Sequence, residues 1–213
     1  AAWMELIKTE GWRGNYPDAL DELEQYRQRF GEDRPYHEQQ ARALAWQGKT
    51  MPAIEIVNQL LAETPEDVDA LSTRAIALQG GNRSREALAD LETIRKIRPD
   101  AKETADLSRY LLTPQRSSVT AAIDYNKDSD EVRILRTRLE GEYVLDPETR
   151  LQAGVERLGL SAHTESGLEN RDGSANADYR NLWVGASHRF SSMLAADARV
   201  GLGNADADGR VRI

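Results

Sequence analysis

The chain has 213 residues, 39% of them apolar and 30% charged, with a formal net charge of −8. An acidic balance excludes a general nucleic-acid binder, which needs a basic face to neutralise phosphates. The absence of cysteine excludes a disulfide framework, a thiolate metal site and a cysteine nucleophile; no apolar run reaches the ~18 residues of a membrane-crossing helix, a test blind to the alternating strands of a β-barrel.

The N-terminus, Ala1-Ala2-Trp3-Met4-Glu5, lacks the basic and apolar regions of a signal peptide. It opens inside a repeat, which implies an excised or processed fragment. Ala53 and Ala87 stand 34 residues apart, as do Pro65 and Pro99, and one period earlier stand Ala19 and Gly31. A fixed period of this size marks a stacked helical repeat array. The first copy carries Trp3, Leu6 and Ile7, a turn at Gly14, then Ala19, Leu20, Leu23 and Tyr26. The second carries Ala41 and Leu44, a turn at Gly48, then Ala53, Val57, Leu60 and Leu61. In the third, Leu71, Ala75 and Leu78 make one helical face. Gly80-Gly81-Asn82 turns the chain, and Ala87, Leu88, Leu91 and Ile94 form the return stripe. Pro65 and Pro99 stop their helices. Ala101 to Leu112 predicts a further helix ended by Thr113-Pro114, placed to cap the array.

This register resembles the tetratricopeptide repeat family over about half the chain. The family's tryptophan position holds Trp3, His37 and Leu71, its small first-helix position Ile7, Ala41 and Ala75, and its first-helix aromatic is replaced by Glu10, Leu44 and Leu78. The resemblance implies partner binding on the concave face made by successive first helices, at Lys8, Glu38, Arg42, Asp69, Ser72 and Gln79. The plainer expectation for charged helical positions is a solvated face.

After Pro114 the period becomes two. Val119, Ala121, Ile123 and Tyr125 alternate with polar or small residues, as do Leu135, Thr137, Leu139, Gly141, Tyr143 and Leu145, then Leu151, Ala153 and Val155. The phase then slips to Leu158, Leu160 and Ala162, which predicts a bulge near Arg157. Leu182 to Phe190 and Leu194 to Leu202 complete five strands, with 131–145 and 150–165 about fifteen residues long against a usual five or six. The opposite face carries Arg136, Arg138, Glu140, Glu142, Glu156, Trp183, Arg189, Asp197 and Arg199. Turns are expected at 128–130, 146–149 and 191–193, a long loop at 166–178 and a polar turn at 204–209. The fold class is α + β in separate domains: a tetratricopeptide α-solenoid over 1–114, then an antiparallel β meander over 115–213.

A soluble sandwich, a ligand cup and an outer-membrane barrel all accommodate such strands. Strand length, the charged second face and the thin alanine-containing apolar face favour the barrel. With the repeats in the periplasm, the turns at 146–149 and 191–193 fall on the periplasmic side and the long loop outside. Five strands do not close a barrel, so further strands are expected after Ile213. The domain order resembles the outer-membrane exopolysaccharide exporters of Gram-negative bacteria, the poly-N-acetylglucosamine, cellulose and Pel secretion porins. That resemblance implies an outer-membrane location and a periplasmic repeat domain that docks polymer-modifying or synthase-complex proteins or guides polysaccharide. It also implies a barrel held in outer-membrane lipid, with the polar residues named above facing its lumen. The alternative is a soluble protein-protein interaction adaptor with a small β domain.

Catalytic signatures are missing: the sequence has no GxSxG, HExxH, P-loop or dinucleotide fingerprint. His37, His163 and His188 fall in different elements and read as structural. Glu140 and Glu142 share a face with Arg136 and Arg138, which reads as salt-bridged rather than catalytic. Asn204 to Gly209 matches the first half of a calcium loop, but a hairpin turn is the better expectation. Asn82-Arg83-Ser84 is an incidental glycosylation sequon. Trp183, on the polar face, is either a sugar-stacking indole or a packing aromatic. No enzyme activity, cofactor or metal is expected.

Overall fold

The protein is seen as a computed structural model, which describes residues 2–129, 131–163, 174–191 and 193–206. Two compact units account for it, Ala1–Gln115 with Ser191–Met193, and Arg116–Phe190 with Leu194–Ile213.

The first unit is a row of helices: α1 Ala2–Trp12, α2 Tyr16–Phe30, α3 Arg34–Trp46, α4 Thr50–Glu63, α5 Val68–Gly80, α6 Ser84–Ile97 and α7 Lys102–Leu112, followed by a 3-10 turn at Thr113–Gln115. What makes them hairpins is a left-handed residue at a fixed place in each turn. Gly14, Gly48 and Asn82 have φ of 81°, 75° and 58°, and each lies 34 residues from the next. The following N–H groups, of Asn15, Lys49 and Arg83, donate to the carbonyls of Glu10, Leu44 and Leu78 at 3.0, 2.9 and 2.8 Å. That bond closes a helix C-terminus by reaching back five residues around the left-handed position. In the third hairpin the two glycines are not the pivot: Gly81 keeps a φ of −82°, and Asn82 takes the left-handed conformation that asparagine tolerates.

Helix starts repeat as well. Asp33 accepts from Tyr36 N–H at the head of α3, and Asp67 accepts from the N–H groups of Asp69 and Ala70 at the head of α5. Arg34 ties the two repeats together by pairing with both Glu38 and Asp67. Between paired helices sit alanines with almost no exposed surface, Ala19, Ala53 and Ala87 on the second helices and Ala41 and Ala75 on the first. Their small size lets the backbones approach. Repeats two and three share one apolar cluster with Leu107 and Leu111 of α7. The first repeat has its own smaller cluster of Met4, Ile7, Ala19, Leu23 and Tyr36. In that cluster the buried aromatic is Tyr36, while His37 beside it is half-buried.

The second unit is a five-stranded antiparallel meander in the order β1-β2-β3-β4-β5, with β1 Ser118–Lys127, β2 Arg133–Val144, β3 Thr149–Ser161, β4 Asn176–Arg189 and β5 Ala195–Asp206. The sheet is open. β2 and β3 have 12 and 13 residues, shorter than the fifteen expected. The bulge expected near Arg157 is absent: pairing of β3 with both neighbours is continuous, Leu158 opposite Arg136 and Tyr179, Leu160 opposite Ile134 and Ala177. Leu158 and Leu160 therefore lie on the charged face. β4 begins at Asn176, inside the expected 166–178 loop, and β5 runs on to Asp206, so Asn204 to Asp206 is strand rather than turn. Residues 164–173 and 207–213, which hold the rest of those two expected loops, lie outside the described residues.

Asp67 supplies the first stability prediction. Burial raises its carboxyl pKa, but the Ala70 N–H, the Arg34 guanidinium and the Asp69 N–H outweigh that and hold it below its ordinary value. Asp67→Ala should cost the helical unit about 1–2 kcal/mol at neutral pH, the usual worth of an N-cap. A carboxylate whose folded pKa is depressed contributes fully above its unfolded pKa of about 3.9, and that contribution is lost as pH falls through the lower folded value. Urea unfolding at neutral pH and under increasing acidity should show the two proteins converging in acid.

Candidate functional site

Constant register fixes which side chains share a face. One face of the sheet carries successive cross-strand rows: Tyr143, Leu151, Ala186 and Ala198; then Val119, Gly141, Ala153, Val184 and Val200; then Ala121, Leu139, Val155, Leu182 and Leu202. These side chains are not covered by the chain: Leu139 is 50% exposed, Leu182 53%, Val200 68% and Ile123 76%. A trough of about 1000 Å³ runs between the first two rows, where Gly141, Ala153, Ala186 and Ala198 are small.

The apolar face is slanted. Its run spans Val119–Tyr125 on β1, Leu135–Leu145 on β2, Leu151–Val155 on β3, Leu182–Phe190 on β4 and Leu194–Leu202 on β5, interrupted within those limits by Thr137, Gly141 and His188. Placed on common rows by the register, the midpoints drift from β1 to β4 toward the end at which the chain enters β1, and β5 stays level with β4. The drift averages about 1.2 residues per strand; at ~3.3 Å per residue and ~4.8 Å between strands, the strands incline about 40° from the band's normal, and the band is about 20 Å tall. Aromatic residues stand near both of its limits, Tyr125 at one and Tyr143 and Phe190 at the other.

The opposite face brings together all nine polar-face residues named from sequence. Four of the eight charged ones are paired locally. Arg136 pairs with Glu156 at 3.2 Å, Arg138 with Asp124 at 3.1 Å and Arg150 with Glu142 at 2.8 Å. Gln152 donates to Glu142 at 3.0 Å and accepts from Arg199 at 3.1 Å. Glu140, Arg189 and Asp197 make no ion pair among the described residues. Gln152, which alternates with Leu151 and Ala153 in the sequence, joins the network as its position implies, and so does Arg150, whose place beside a turn hid it. Counting Asp124 and Arg150, this face holds as many arginines (Arg136, Arg138, Arg150, Arg189, Arg199) as carboxylates (Asp124, Glu140, Glu142, Glu156, Asp197).

Trp183 is part of this layer. Its indole lies against Gly154 on β3, where a Cβ would fall 2.7 Å from the ring, and the Arg199 guanidinium lies 4.4 Å from the ring centroid. Gly203 gives Tyr179 the same freedom. Glycines thus let large side chains lie down along the sheet, so the polar face carries a thin layer.

On the helical unit, Glu38, Arg42 and Asp69 line one crevice of about 10 Å³, and Lys8 and Arg42 line another of about 20 Å³ with Trp46. Arg42 thus joins four of the six positions taken from the repeat register. The crevices hold about one water each, so this is a surface rather than a pocket. Glu38 is engaged by Arg34, and Lys8 by Glu5 at 3.1 Å. Ser72 spends its hydroxyl on the Val68 carbonyl at 2.7 Å, and Gln79 is half-buried with its Oε1 unsatisfied. Sequence reading missed the aromatic pair Trp46 and Tyr110, 5.7 Å apart. Tyr110 stands at the 34-residue equivalent of Lys8 and Arg42, and that spacing was the signal that could have found it.

Neither a protein-family model nor a curated protein sequence matches the chain. In structure its helical half is similar to the first TPR domain of human RPAP3, with 20% identity, 52% of this chain and 87% of that one covered, and a TM-score of 0.43. It is also similar to the first TPR of Spaghetti (RPAP3) bound to an HSP90 peptide, at 19% identity, covering 53% and 90%, with a TM-score of 0.43. A third is the P58(IPK) TPR domain, at 21% identity and a TM-score of 0.44, where 54% of this chain matches 34% of that one.

Gly154→Val should push the indole off β3. Inserting a branched side chain into filled space costs about 1–3 kcal/mol. The variant should unfold earlier in denaturant and show a red-shifted tryptophan emission, and the emission shift should vanish when Trp183 is also replaced by Phe.

Proposed function

We propose that the chain belongs to an outer-membrane exopolysaccharide export component: its strands form part of a β-barrel wall, and its helical array docks partners or guides polymer on the periplasmic side. The observation that carries this reading is the slanted apolar band. A sheet that closes into a barrel must tilt its strands by about 35–45°, and a barrel in lipid wears an apolar belt about 25 Å tall flanked by aromatic residues. The band here has that inclination, a height of about 20 Å and aromatics near both limits. Closure gives a soluble barrel the same tilt; the charged opposite face and the exposed aromatics near both limits are what favour lipid against the apolar band.

The polar face supports the second half of the reading. In a barrel it lines the lumen, and its near-balanced, internally paired charges present hydroxyl-binding groups without a strong net field. A polymer passing along such a wall exchanges many weak hydrogen bonds and is not trapped by any one charge. The protein acts here as a conduit and not as an enzyme, with no cofactor. The half-buried Lys8 and Arg42 with the exposed Trp46 and Tyr110 are the place on the array for a protein partner or the polymer to touch.

These 213 residues hold no cysteine, and any cysteine elsewhere in the full-length protein is first replaced by serine. Single cysteines at Leu139, Val155 or Leu182 and at Thr120, Gln152 or Asn181 are placed in the full-length protein in bilayers and exposed to a charged, water-soluble thiol reagent. Only the second set should react. Equal reaction of both sets, with a full-length protein that stays monodisperse without detergent, overturns the membrane reading in favour of a soluble adaptor. Deleting the gene should abolish polymer secretion while synthesis continues; normal secretion would sink the export role.

A further inference from the structure

The far limit of the apolar band, away from the end at which the chain enters β1, has a chemical character that the near limit lacks. On four adjacent strands the first outward-facing residue past the band is a cation: Lys127 after Tyr125, Arg133 after Leu135, Arg157 beyond Val155 and Arg180 beyond Leu182. On β5 it is Asn204. The positions follow the same slant as the band, so the four cations lie along one level and not along one hydrogen-bonded row. At the near limit the flanking positions of β1 to β3 are Ser117, Pro147 and Thr149.

The cations are also arranged at a cost. Lys127 is directly opposite Arg133, and Arg157 directly opposite Arg180. Like charges in opposed positions destabilise a sheet. Nearby carboxylates offset part of this. Glu131 pairs with Lys127 at 3.1 Å. Asp178 accepts from Arg157 at 3.0 Å and Arg180 at 2.9 Å; these two hydrogen bonds hold its carboxyl below its ordinary pKa. Among the described residues these two carboxylates engage Lys127, Arg157 and Arg180. The guanidinium-bearing side chains of Arg157 and Arg180 are 64% and 66% exposed. A guanidinium fork matches phosphate oxygens in a bidentate way.

Resting on the barrel reading above, we propose that this rim is a cationic collar that holds the phosphate groups of anionic lipid headgroups in the leaflet away from the end at which the chain enters β1. Lipid chains cover the apolar band directly beneath it, so a phosphate at the membrane surface meets the collar at the level where the band ends. A headgroup bridging two opposed cations relieves the repulsion that the sheet otherwise retains. It also fixes the depth and orientation of the wall, because the opposite rim has no such attraction.

The test uses the full-length protein in mixed micelles containing phosphatidylglycerol or phosphatidylcholine, with native mass spectrometry counting retained lipid. Replacing the collar (K127Q/R133Q/R157Q/R180Q) should weaken phosphatidylglycerol retention by about tenfold or more, given about 1 kcal/mol per interfacial cation, and leave phosphatidylcholine retention unchanged. Removing the same charge from exposed helical positions (K96Q/R98Q/K102Q/R109Q) should have no effect on either lipid. Circular dichroism matching the parent confirms that the collar variant is folded; if it is not, the R157Q/R180Q pair is used, with a partial loss expected. Unchanged phosphatidylglycerol retention in a folded variant overturns the collar while leaving the barrel reading intact. A parent protein that retains no lipid of either kind and needs no detergent overturns both.

Discussion

The unbroken antiparallel register of the sheet is the constraint from which the rest of the β unit follows. Successive side chains on a strand point to opposite faces. With no extra residue in any of the four pairings, each face is set across all five strands at once. A single bulge between Leu151 and Val155 would turn Val155 to the face of Glu142 and Glu156 to the face of Leu139, while leaving β2 and β4 as they are. The apolar rows would then be cut in two. Because the register holds, Leu139, Val155, Leu182 and Leu202 meet side by side, and Arg136, Arg138, Glu142 and Glu156 meet on the other side, close enough to pair. Burial of apolar surface is worth about 25 cal/mol per Å²; a face with this many half-exposed Leu and Val side chains has a large favourable term still to gain from whatever covers it.

The two faces solve opposite problems. The apolar one uses small residues, Gly141, Ala153, Ala186 and Ala198, to make a shallow relief that flexible chains can follow. The polar one uses glycine for another purpose. Gly154 and Gly203 leave room above the backbone for Trp183 and Tyr179 to lie flat, which keeps bulky groups out of the space beyond the sheet. The ion pairs then neutralise one another across strands at 2.8–3.2 Å. Such partly exposed pairs add about 0–1 kcal/mol each to stability; their greater effect is to leave the wall polar without a strong field.

How much of this was legible in the sequence depends on what a period can reveal. The 34-residue period located every helical hairpin, and the residues that enforce it, Gly14, Gly48 and Asn82, were visible as turn formers. Which residue of Gly80-Gly81-Asn82 would turn left-handed was not visible, because all three tolerate that conformation. Tyr36 was missed as a core aromatic because attention fell on the neighbouring position, held by His37, where the repeat pattern expects tryptophan. On the strands, a period of two shows that the faces differ and does not show what medium lies against each. Past Val155 and before Leu182 the polarity of the faces reverses: Arg157, Asp178 and Arg180 turn to the formerly apolar side, and Leu158, Leu160 and Tyr179 to the other. A reversal of polarity along a straight strand writes the same pattern as a bulge in β3 and the same polar run as a loop before β4.

The two units also draw their stability from different sources. In the helical unit each hairpin closes within 34 residues, its alanines and leucines are buried by the neighbouring hairpin, and Leu107 and Leu111 of α7 cover the last of them. Its core is therefore complete in itself. The sheet lacks such a core, since among its described residues the large side chains of the apolar face are about half-covered or less and β1 and β5 each have an unpaired edge. Hydrogen bonds within the meander fix its shape, but the apolar term that stabilises most sheets is absent until another phase or surface meets that face. The helical unit closes its core with its own residues, whereas the sheet continuous with it leaves its apolar face to be covered from outside these residues.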